Sequence, residues 1–216
     1  MSSHRVGLWL IGAFGGVAST AALGLAAWKR GLMEPVGLVT ALPLCDGLDL
    51  DAPSNFVVGG HEIRQASFAT TARELHERSN VFDRSLLEAC LPDLETWSDN
   101  VRPGTVLYAG PTIARLADLP EATATETARA AIDRIQKDLR SFRESHRLDQ
   151  VVVVNVSSTE PPFELSDVHA NTERLAAELG RRNHPVLPAS SLYAWAALDL
   201  GLPYVNFTPS LGASFP

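Results

Sequence analysis

Three short stretches of glycines, hydroxyls and a carboxylate carry the groups that could do chemistry in this chain. The first reads Gly12-Ala13-Phe14-Gly15-Gly16 and lies between an apolar run and a run rich in Ala and Leu. Glycines let a phosphate approach the backbone closely, and the unpaired amides that open a helix favour an anion. The pattern strand, glycine turn, helix therefore predicts a nucleotide pyrophosphate at residues 12–16.

The other two stretches each allow two interpretations. Gly59-Gly60-His61-Glu62 offers a carboxylate to ribose hydroxyls, or else it is an ordinary turn with a solvated Glu62. Ser157-Ser158-Thr159-Glu160 offers hydroxyls and amides to a cofactor, or else it is a loop that caps a helix. Local sequence alone does not choose between these alternatives.

Several other polar residues point to no chemistry of their own. His61 and His169 have no partner at metal-ligand spacing, so we predict no protein-built metal site. The pair Ser190-Ser191 lacks a Gly-x-Ser-x-Gly context, which argues against a hydrolase nucleophile. Tyr193 and Trp195 are interpreted as packing residues of a helix.

Strands and helices alternate along the chain, which predicts a doubly wound α/β fold with a parallel, Rossmann-like sheet over residues 1–216. The continuous apolar run at 151–156 is typical of a strand that is buried on both faces of such a sheet. Pro92, Gly180 and Gly201 are expected to end the third, fifth and sixth helices, Gly180 as a left-handed cap. We expect strands at residues 6–11, 36–42, 55–58, 104–110, 151–156 and 204–207, and helices at 17–29, 67–78, 83–91, 123–146, 168–179 and 190–200.

Composition excludes several function classes. The 216 residues are 45% apolar, enough for one main domain, and the net charge of −7 argues against broad nucleic-acid binding. Cys45 and Cys90 are too few for a disulfide framework, which favours a reducing, cytoplasmic compartment. The apolar run at 6–28 leaves a signal peptide or a membrane span as an alternative. Its five glycines and its lack of a flanking charge bias favour the nucleotide site, with no membrane contact.

Four separated stretches together resemble the inositol-phosphate synthase family: WLIGAFGGVAST, NFVVGGHEI, VVVVNVSSTEP and LPASSLYAWAALDLGLPYVNFTPS. The resemblance implies a Rossmann-like domain with NAD as its cofactor. Phe14 stands where many family members have glycine, and Glu62 where aspartate is common. Carried over residue by residue, the resemblance implies that the pyrophosphate of NAD lies at Gly12, Ala13, Phe14, Gly15 and Gly16, and that an adenosine ribose lies near Glu62. It also implies further cofactor contacts at Val156, Ser157, Ser158 and Thr159, and places Asn206 and Thr208 near the nicotinamide.

The resemblance also implies a reaction. In the family, D-glucose 6-phosphate becomes 1D-myo-inositol 3-phosphate through oxidation at C5, enolisation, aldol closure from C6 to C1, and reduction. The oxyanions that develop need cations, which the family supplies mainly as lysines from a region beyond the part resembled here. This chain has only Lys29 and Lys137. We therefore expect an N-terminal cofactor-binding portion, inactive alone, whose catalytic residues are unknown.

The full-length form is expected to be a cytoplasmic homotetramer that serves inositol and phospholipid biosynthesis, with glucose 6-phosphate as its substrate and no nucleic-acid or membrane partner. Two other functions remain open because one fold serves many functions. One is a non-catalytic NAD-binding module. The other is an NAD-dependent sugar-phosphate dehydrogenase, which would release NADH in proportion to its substrate.

Overall fold

The computed structural model describes residues 4–123 and 125–214, and one parallel sheet organises them. Residues 1–3, Ala124, Phe215 and Pro216 of the predicted domain lie outside the described residues. The strands are β1 (Val6–Ile11), β2 (Phe56–Glu62), β3 (Val101–Pro103), β4 (Gln150–Asn155) and β5 (Tyr204–Asn206). All neighbours are parallel, in the order β3-β2-β1-β4-β5. This order confirms the predicted doubly wound α/β class and places a topological switch point between β1 and β4.

Helices cover both faces of the sheet. Because side chains alternate along a strand, Leu10 of β1 joins one core cluster, whereas Trp9 and Ile11 join the other. The first three helices pack with Leu10, and the last three pack with Trp9 and Ile11. None of the described helices is long and apolar enough to cross a membrane. The helices are α1 (Gly16–Lys29), α2 (Phe68–Ser79), α3 (Arg84–Ser98), α4 (Pro111–Ala114), α5 (Ala128–Ser145), α6 (Thr172–Glu178) and α7 (Ala189–Asp199).

Hydroxyl caps set the starts of two predicted helices. The Ser67 hydroxyl accepts a hydrogen bond from the Thr70 amide at 3.0 Å, and α2 begins at Phe68, one residue after the predicted start. The Thr127 hydroxyl does the same for the Ala130 amide at 3.2 Å. The predicted helix at 123–146 therefore starts only after Thr127.

The strand predicted at 36–42 is wrong. The structure has turns there, with a 3₁₀ turn at Val39–Ala41, and Gly37 has a φ of +84°. The side chain of Val36 is 87% exposed. Strand β1 is already paired along its whole length with β2 and β4, so this apolar run finds no partner on it.

The strand predicted at 104–110 is also wrong. Strand β3 ends at Pro103, and the following segment is a loop in which Tyr108 (φ +59°) and Gly110 (φ +90°) adopt left-handed conformations. A left-handed residue interrupts an extended strand. This loop instead crosses over the carboxyl end of β2, where the amides of Asp118 and Leu119 donate to the Ile63 carbonyl.

The helix end predicted at Pro92 is wrong. Helix α3 continues through Pro92 to Ser98 because Leu94 and Trp97, beyond the proline, are buried in the core. That packing outweighs the hydrogen bond that Pro92 cannot donate. The fifth predicted helix does end just before Gly180, because α6 stops at Glu178, but Gly180 is not the left-handed cap that was expected.

The helix predicted at 168–179 is interrupted. Asn171 separates a 3₁₀ turn at Asp167–Ala170 from α6, and its side chain accepts a hydrogen bond from the Arg174 amide at 3.0 Å. An asparagine that caps a helix in this way has an extended backbone. The apolar spacing that predicted a single helix at 168–179 runs across this interruption, so only the capping residue Asn171 indicates the break.

Candidate functional site

The glycine turn after β1 is held by the end of β2. The amides of Gly12 and Ala13 both donate to the His61 carbonyl, at 3.0 and 3.1 Å. The Gly15 amide then donates to the Gly12 carbonyl at 2.9 Å, which closes the turn. These bonds fix where α1 begins, beside the switch point of the sheet.

Gly12 also touches the loop that follows β4. It has a φ of +78°, and a Cβ placed on it would lie 2.9 Å from the Cα of Ser157. A non-glycine residue would therefore be strained by its backbone angle and would push the two loops apart. The sequence places glycine here because the backbones of the β1 and β4 ends approach each other closely.

The start of α1 presents unpaired amides. Gly15 is the N-cap and supplies no side-chain acceptor, and Ser19 is the first residue of the helix whose amide reaches an intrahelical carbonyl, that of Gly15. Among the described residues, the amides of Gly16, Val17 and Ala18 have no acceptor. Three such N–H groups, together with the positive end of the helix dipole, favour an anion at this position.

The Glu62 carboxylate is buried and fully engaged. Its side chain is 3% exposed, and it accepts hydrogen bonds from the amides of Phe14 (2.7 Å), Ile63 (2.8 Å) and Arg64 (3.2 Å). The Arg64 guanidinium adds longer contacts at 3.4 and 3.5 Å and also donates to the Phe14 carbonyl at 2.8 Å. Glu62 and Arg64 thus tie the end of β2 to the glycine turn.

Asn155 joins the carboxyl ends of β4 and β5. Its fully buried amide donates to the Asn206 side chain at 3.1 Å and to the Thr208 hydroxyl at 3.3 Å. The side-chain oxygen of Asn155 accepts hydrogen bonds from the Ser157 hydroxyl at 2.8 Å and from the Ser157 amide at 3.2 Å. Asn206 in turn donates to the Ser210 carbonyl at 2.8 Å. This network sets the positions of the hydroxyls next to the switch point.

A cavity at the carboxyl ends of β1, β2 and β4 brings together half of the predicted site residues. Ala13 and Phe14 are buried in the core instead, although the backbone of Phe14 belongs to the turn. Asn206 and Thr208 are linked to the cavity indirectly, through the side chain of Asn155 and through Ser210, which accepts a hydrogen bond from the Glu160 amide. Gly12, Gly15, Glu62, Val156, Ser157 and Ser158 line the cavity, whereas Ala13, Phe14, Gly16, Thr159, Asn206 and Thr208 do not.

Glu160 and Ser190 line the cavity without having been predicted as site residues. The Glu160 carboxylate accepts hydrogen bonds from the amide and the hydroxyl of Ser190, and it thereby caps the start of α7. Burial raises the pKa of Glu160, although these bonds oppose the rise. The Ser190 hydroxyl is thus engaged in the cap. A carboxylate five residues after a buried strand was the only sequence signal.

Tyr193 has two roles. It is buried, as the packing interpretation predicts, yet it also lines the cavity, and its hydroxyl accepts a hydrogen bond from the Thr105 amide at 2.9 Å. Burial raises the pKa of its phenol, so it stays protonated. This bond anchors the loop that follows β3 to α7.

His61 is a core residue beneath the site. Its Nδ1 accepts from the Trp9 indole at 2.9 Å, so its proton lies on Nε2, which faces Asp138 Oδ2 at 3.1 Å. Burial lowers the pKa of His61 despite the Asp138 carboxylate. In the described residues no group of His, Cys, Asp or Glu is arranged to hold a metal ion.

The lowered pKa of His61 predicts acid sensitivity. The unfolded chain, with an ordinary histidine pKa of 6.5, binds a proton that the folded protein resists, so stability is present above that value and falls as the pH drops below it. The slope of the free energy of unfolding between pH 6.5 and 5.0 should include on the order of 1 kcal/mol per pH unit from this residue. Urea unfolding of His61→Asn should lose that component, whereas His184→Asn, which replaces a half-exposed histidine, should keep it. Equal slopes for wild type and His61→Asn would contradict the assignment.

Comparison with known proteins identifies the family. An NAD-binding family model described as myo-inositol-1-phosphate synthase matches residues 6–216. The chain belongs to the myo-inositol-1-phosphate synthase family. Inositol-3-phosphate synthase 1 of Bacteroides thetaiotaomicron is 26% identical across 100% of this chain and 51% of its own length. Inositol-3-phosphate synthase of Dictyostelium discoideum is 30% identical across 82% of this chain and 33% of its own length.

Solved structures show the same fold. Inositol-3-phosphate synthase from Caenorhabditis elegans superposes with a TM-score of 0.79 at 19% identity, over 97% of this chain and 45% of that one. A myo-inositol-1-phosphate synthase-related protein from Thermotoga maritima gives 0.60 at 22% identity, over 96% and 49%. The synthase-family chain therefore spans about half the length of these relatives.

NAD is the cofactor that the NAD-binding family model indicates for this synthase-family chain. The structure fits that cofactor at one point in particular. The unpaired amides of Gly16, Val17 and Ala18 are the donors that a pyrophosphate needs, and the glycine turn beside them leaves the backbone accessible.

Proposed function

We propose that this chain is the NAD-binding part of an inositol-3-phosphate synthase that acts on glucose 6-phosphate. The observation that carries the proposal is the set of unpaired amides at Gly16, Val17 and Ala18, which lie at the switch point of a chain matched by the family's NAD-binding model. When bound, NAD supplies a hydride acceptor and then a hydride donor, so the net reaction is an isomerisation. A dehydrogenase would instead accumulate NADH.

In this proposal the residues of the chain bind and orient. The turn at 12–16 holds the pyrophosphate, and Glu62 holds the turn through the Phe14 amide. Asn155 keeps the hydroxyls of Ser157 and Thr208 together on the nicotinamide side. These bonds fix the site before the cofactor arrives, which lowers the entropy lost on binding.

The groups that stabilise the oxyanions are proposed to lie outside this chain. Lys29 pairs with Asp93 at 3.1 Å on the outside of α1, and neither it nor Lys137 lines the cavity. The cytoplasmic homotetramer and the role in phospholipid synthesis that the resemblance implies stay predictions.

Titration calorimetry of NAD⁺ into the folded chain tests the proposal, with Gly15→Val as the decisive variant. A Cβ on Gly15 would lie 3.0 Å from the Gly12 carbonyl, and a valine side chain would stand in front of the unpaired amides. Loss of about 2 kcal/mol of charge-assisted hydrogen bonding raises the Kd for NAD⁺ roughly 30-fold.

Gly24→Val is the matched control, because Gly24 lies in the same helix with nothing within 4 Å of its Cβ position. It should bind NAD⁺ like the wild type. A folded wild-type chain that does not bind NAD⁺ would refute the proposed function. Wild-type affinity in Gly15→Val would remove the pyrophosphate from the glycine turn.

A further inference from the structure

The Glu62 carboxylate has little capacity left to accept a ribose hydroxyl. A carboxylate offers about four acceptor positions. Three backbone amides and two guanidinium contacts already approach the two oxygens of Glu62, and its side chain is 3% exposed. The negative charge at the end of β2 is therefore used inside the protein.

Arg64, unlike Glu62, is partly exposed and keeps hydrogen-bonding capacity. Its side chain is 39% exposed and lines the cavity. Its Nε and Nη2 atoms donate to Glu62 and to the Phe14 carbonyl, whereas Nη1 has no acceptor in the described part of the chain. The two N–H groups of Nη1 thus remain available to a ligand, on a side chain that lines the cavity.

The position of Arg64 matches one part of a dinucleotide. In a doubly wound sheet, the adenosine ribose lies beside the end of the second strand, where a carboxylate binds a 2′-hydroxyl or an arginine accommodates a 2′-phosphate. Arg64 follows the last residue of β2 by two positions and contacts the glycine turn through Phe14. The unpaired amides at the start of α1, which are proposed to bind the pyrophosphate, lie just beyond the same turn.

We propose that Arg64, and not Glu62, is the residue that meets the 2′ position of the adenosine ribose and sets the preference between NAD⁺ and NADP⁺. The inference rests on the proposed NAD site. The charge of Glu62 is balanced by Arg64, so a 2′-phosphate meets two spare N–H groups and no free carboxylate. The site accepts NADP⁺ as well as NAD⁺.

The test compares the Kd of both cofactors in wild type, Arg64→Ala and Arg64→Lys by titration calorimetry. In wild type, NADP⁺ should bind within about tenfold of NAD⁺. In Arg64→Ala the ratio of the two Kd values should rise at least about tenfold, because a charge-assisted bond is lost and the Glu62 charge is uncovered. Arg64→Lys should give an intermediate ratio because an ammonium keeps the charge but not the fork.

Arg84→Ala is the matched control, since Arg84 is 78% exposed and pairs with Glu88 on α3, away from the cavity. It should leave the ratio unchanged. Thermal unfolding of each variant checks that it is folded. If Arg64→Ala is not folded, the comparison of wild type with Arg64→Lys serves as the test. A ratio that stays constant across the Arg64 variants, while NAD⁺ still binds, overturns the inference and leaves the proposed function intact. Absence of NAD⁺ binding in the wild type overturns both.

Discussion

Replacing Gly60 by alanine should lower the free energy of unfolding by at least about 3 kcal/mol, at or beyond the upper end of overpacking effects in cores. A Cβ on Gly60 would lie 2.2 Å from the Leu10 carbonyl oxygen and 2.8 Å from the Ala13 Cβ. Gly60 is opposite Leu10 in the register of β2 on β1, so the clash is with backbone in the centre of the sheet. Relief requires the two strands to separate. Guanidinium unfolding followed by far-ultraviolet circular dichroism measures the loss.

The neighbouring Gly59 provides the control. Its Cβ would meet the ring atoms of Phe142 at 2.9 Å and of Trp9 at 3.1 Å, and these side chains can shift. Gly59→Ala should therefore lower the free energy of unfolding by about 1–2 kcal/mol, an ordinary overpacking effect. If Gly60→Ala proves no less stable than Gly59→Ala, the close approach between β2 and the Leu10 carbonyl is wrong.

This glycine pair shows where sequence reasoning stops. Read locally, Gly59 and Gly60 predict a turn after a short strand at 55–58. The structure places both inside β2, which runs to Glu62, because Leu10, Ala13 and Phe142 occupy the space that side chains would need. Glycine is found both in turns and where two backbones pack closely together. Only the register of β2 with the distant strand β1 shows that the second case applies here.

Elements whose signals are local were predicted correctly. Strand β1, the turn at 12–16 and α1 follow one another in sequence, and β4 is a continuous apolar run. The runs at 36–42 and 104–110 have similar composition but no strand beside them to pair with. Strand formation depends on a partner elsewhere in the chain, which the run itself does not encode.

The contacts of the site likewise divide into those that could be predicted from sequence and those that could not. Glu62 and Ser157 could be predicted to approach the glycine turn because the carboxyl ends of parallel strands meet at one edge. The contact of Arg64 with Phe14 and that of Glu160 with Ser190 join residues 50 and 30 positions apart. Such pairings follow from loop paths and not from any periodic pattern, so nothing beyond residue type indicates them in the sequence.

Gly12→Ala should abolish measurable NAD⁺ binding, with a Kd raised at least about 100-fold, equivalent to nearly 3 kcal/mol. Alanine at a φ of +78° is strained by about 1–2 kcal/mol, and its Cβ would lie 2.9 Å from the Ser157 Cα. The first effect reduces stability, and the second forces apart the two loops that form the floor of the cavity. Titration calorimetry together with urea unfolding separates the loss of binding from the loss of stability.

Gly31 at the other end of α1 isolates the backbone effect. It has a φ of +67° and nothing within 4 Å of its Cβ position. Gly31→Ala should therefore lose only the 1–2 kcal/mol of strain, about the same backbone term as at Gly12, and keep its affinity for NAD⁺. If both variants lose stability but neither loses affinity, the approach of Gly12 to Ser157 holds the fold and not the cofactor. If only Gly12→Ala fails to bind, the close contact between the ends of β1 and β4 is what shapes the pyrophosphate site.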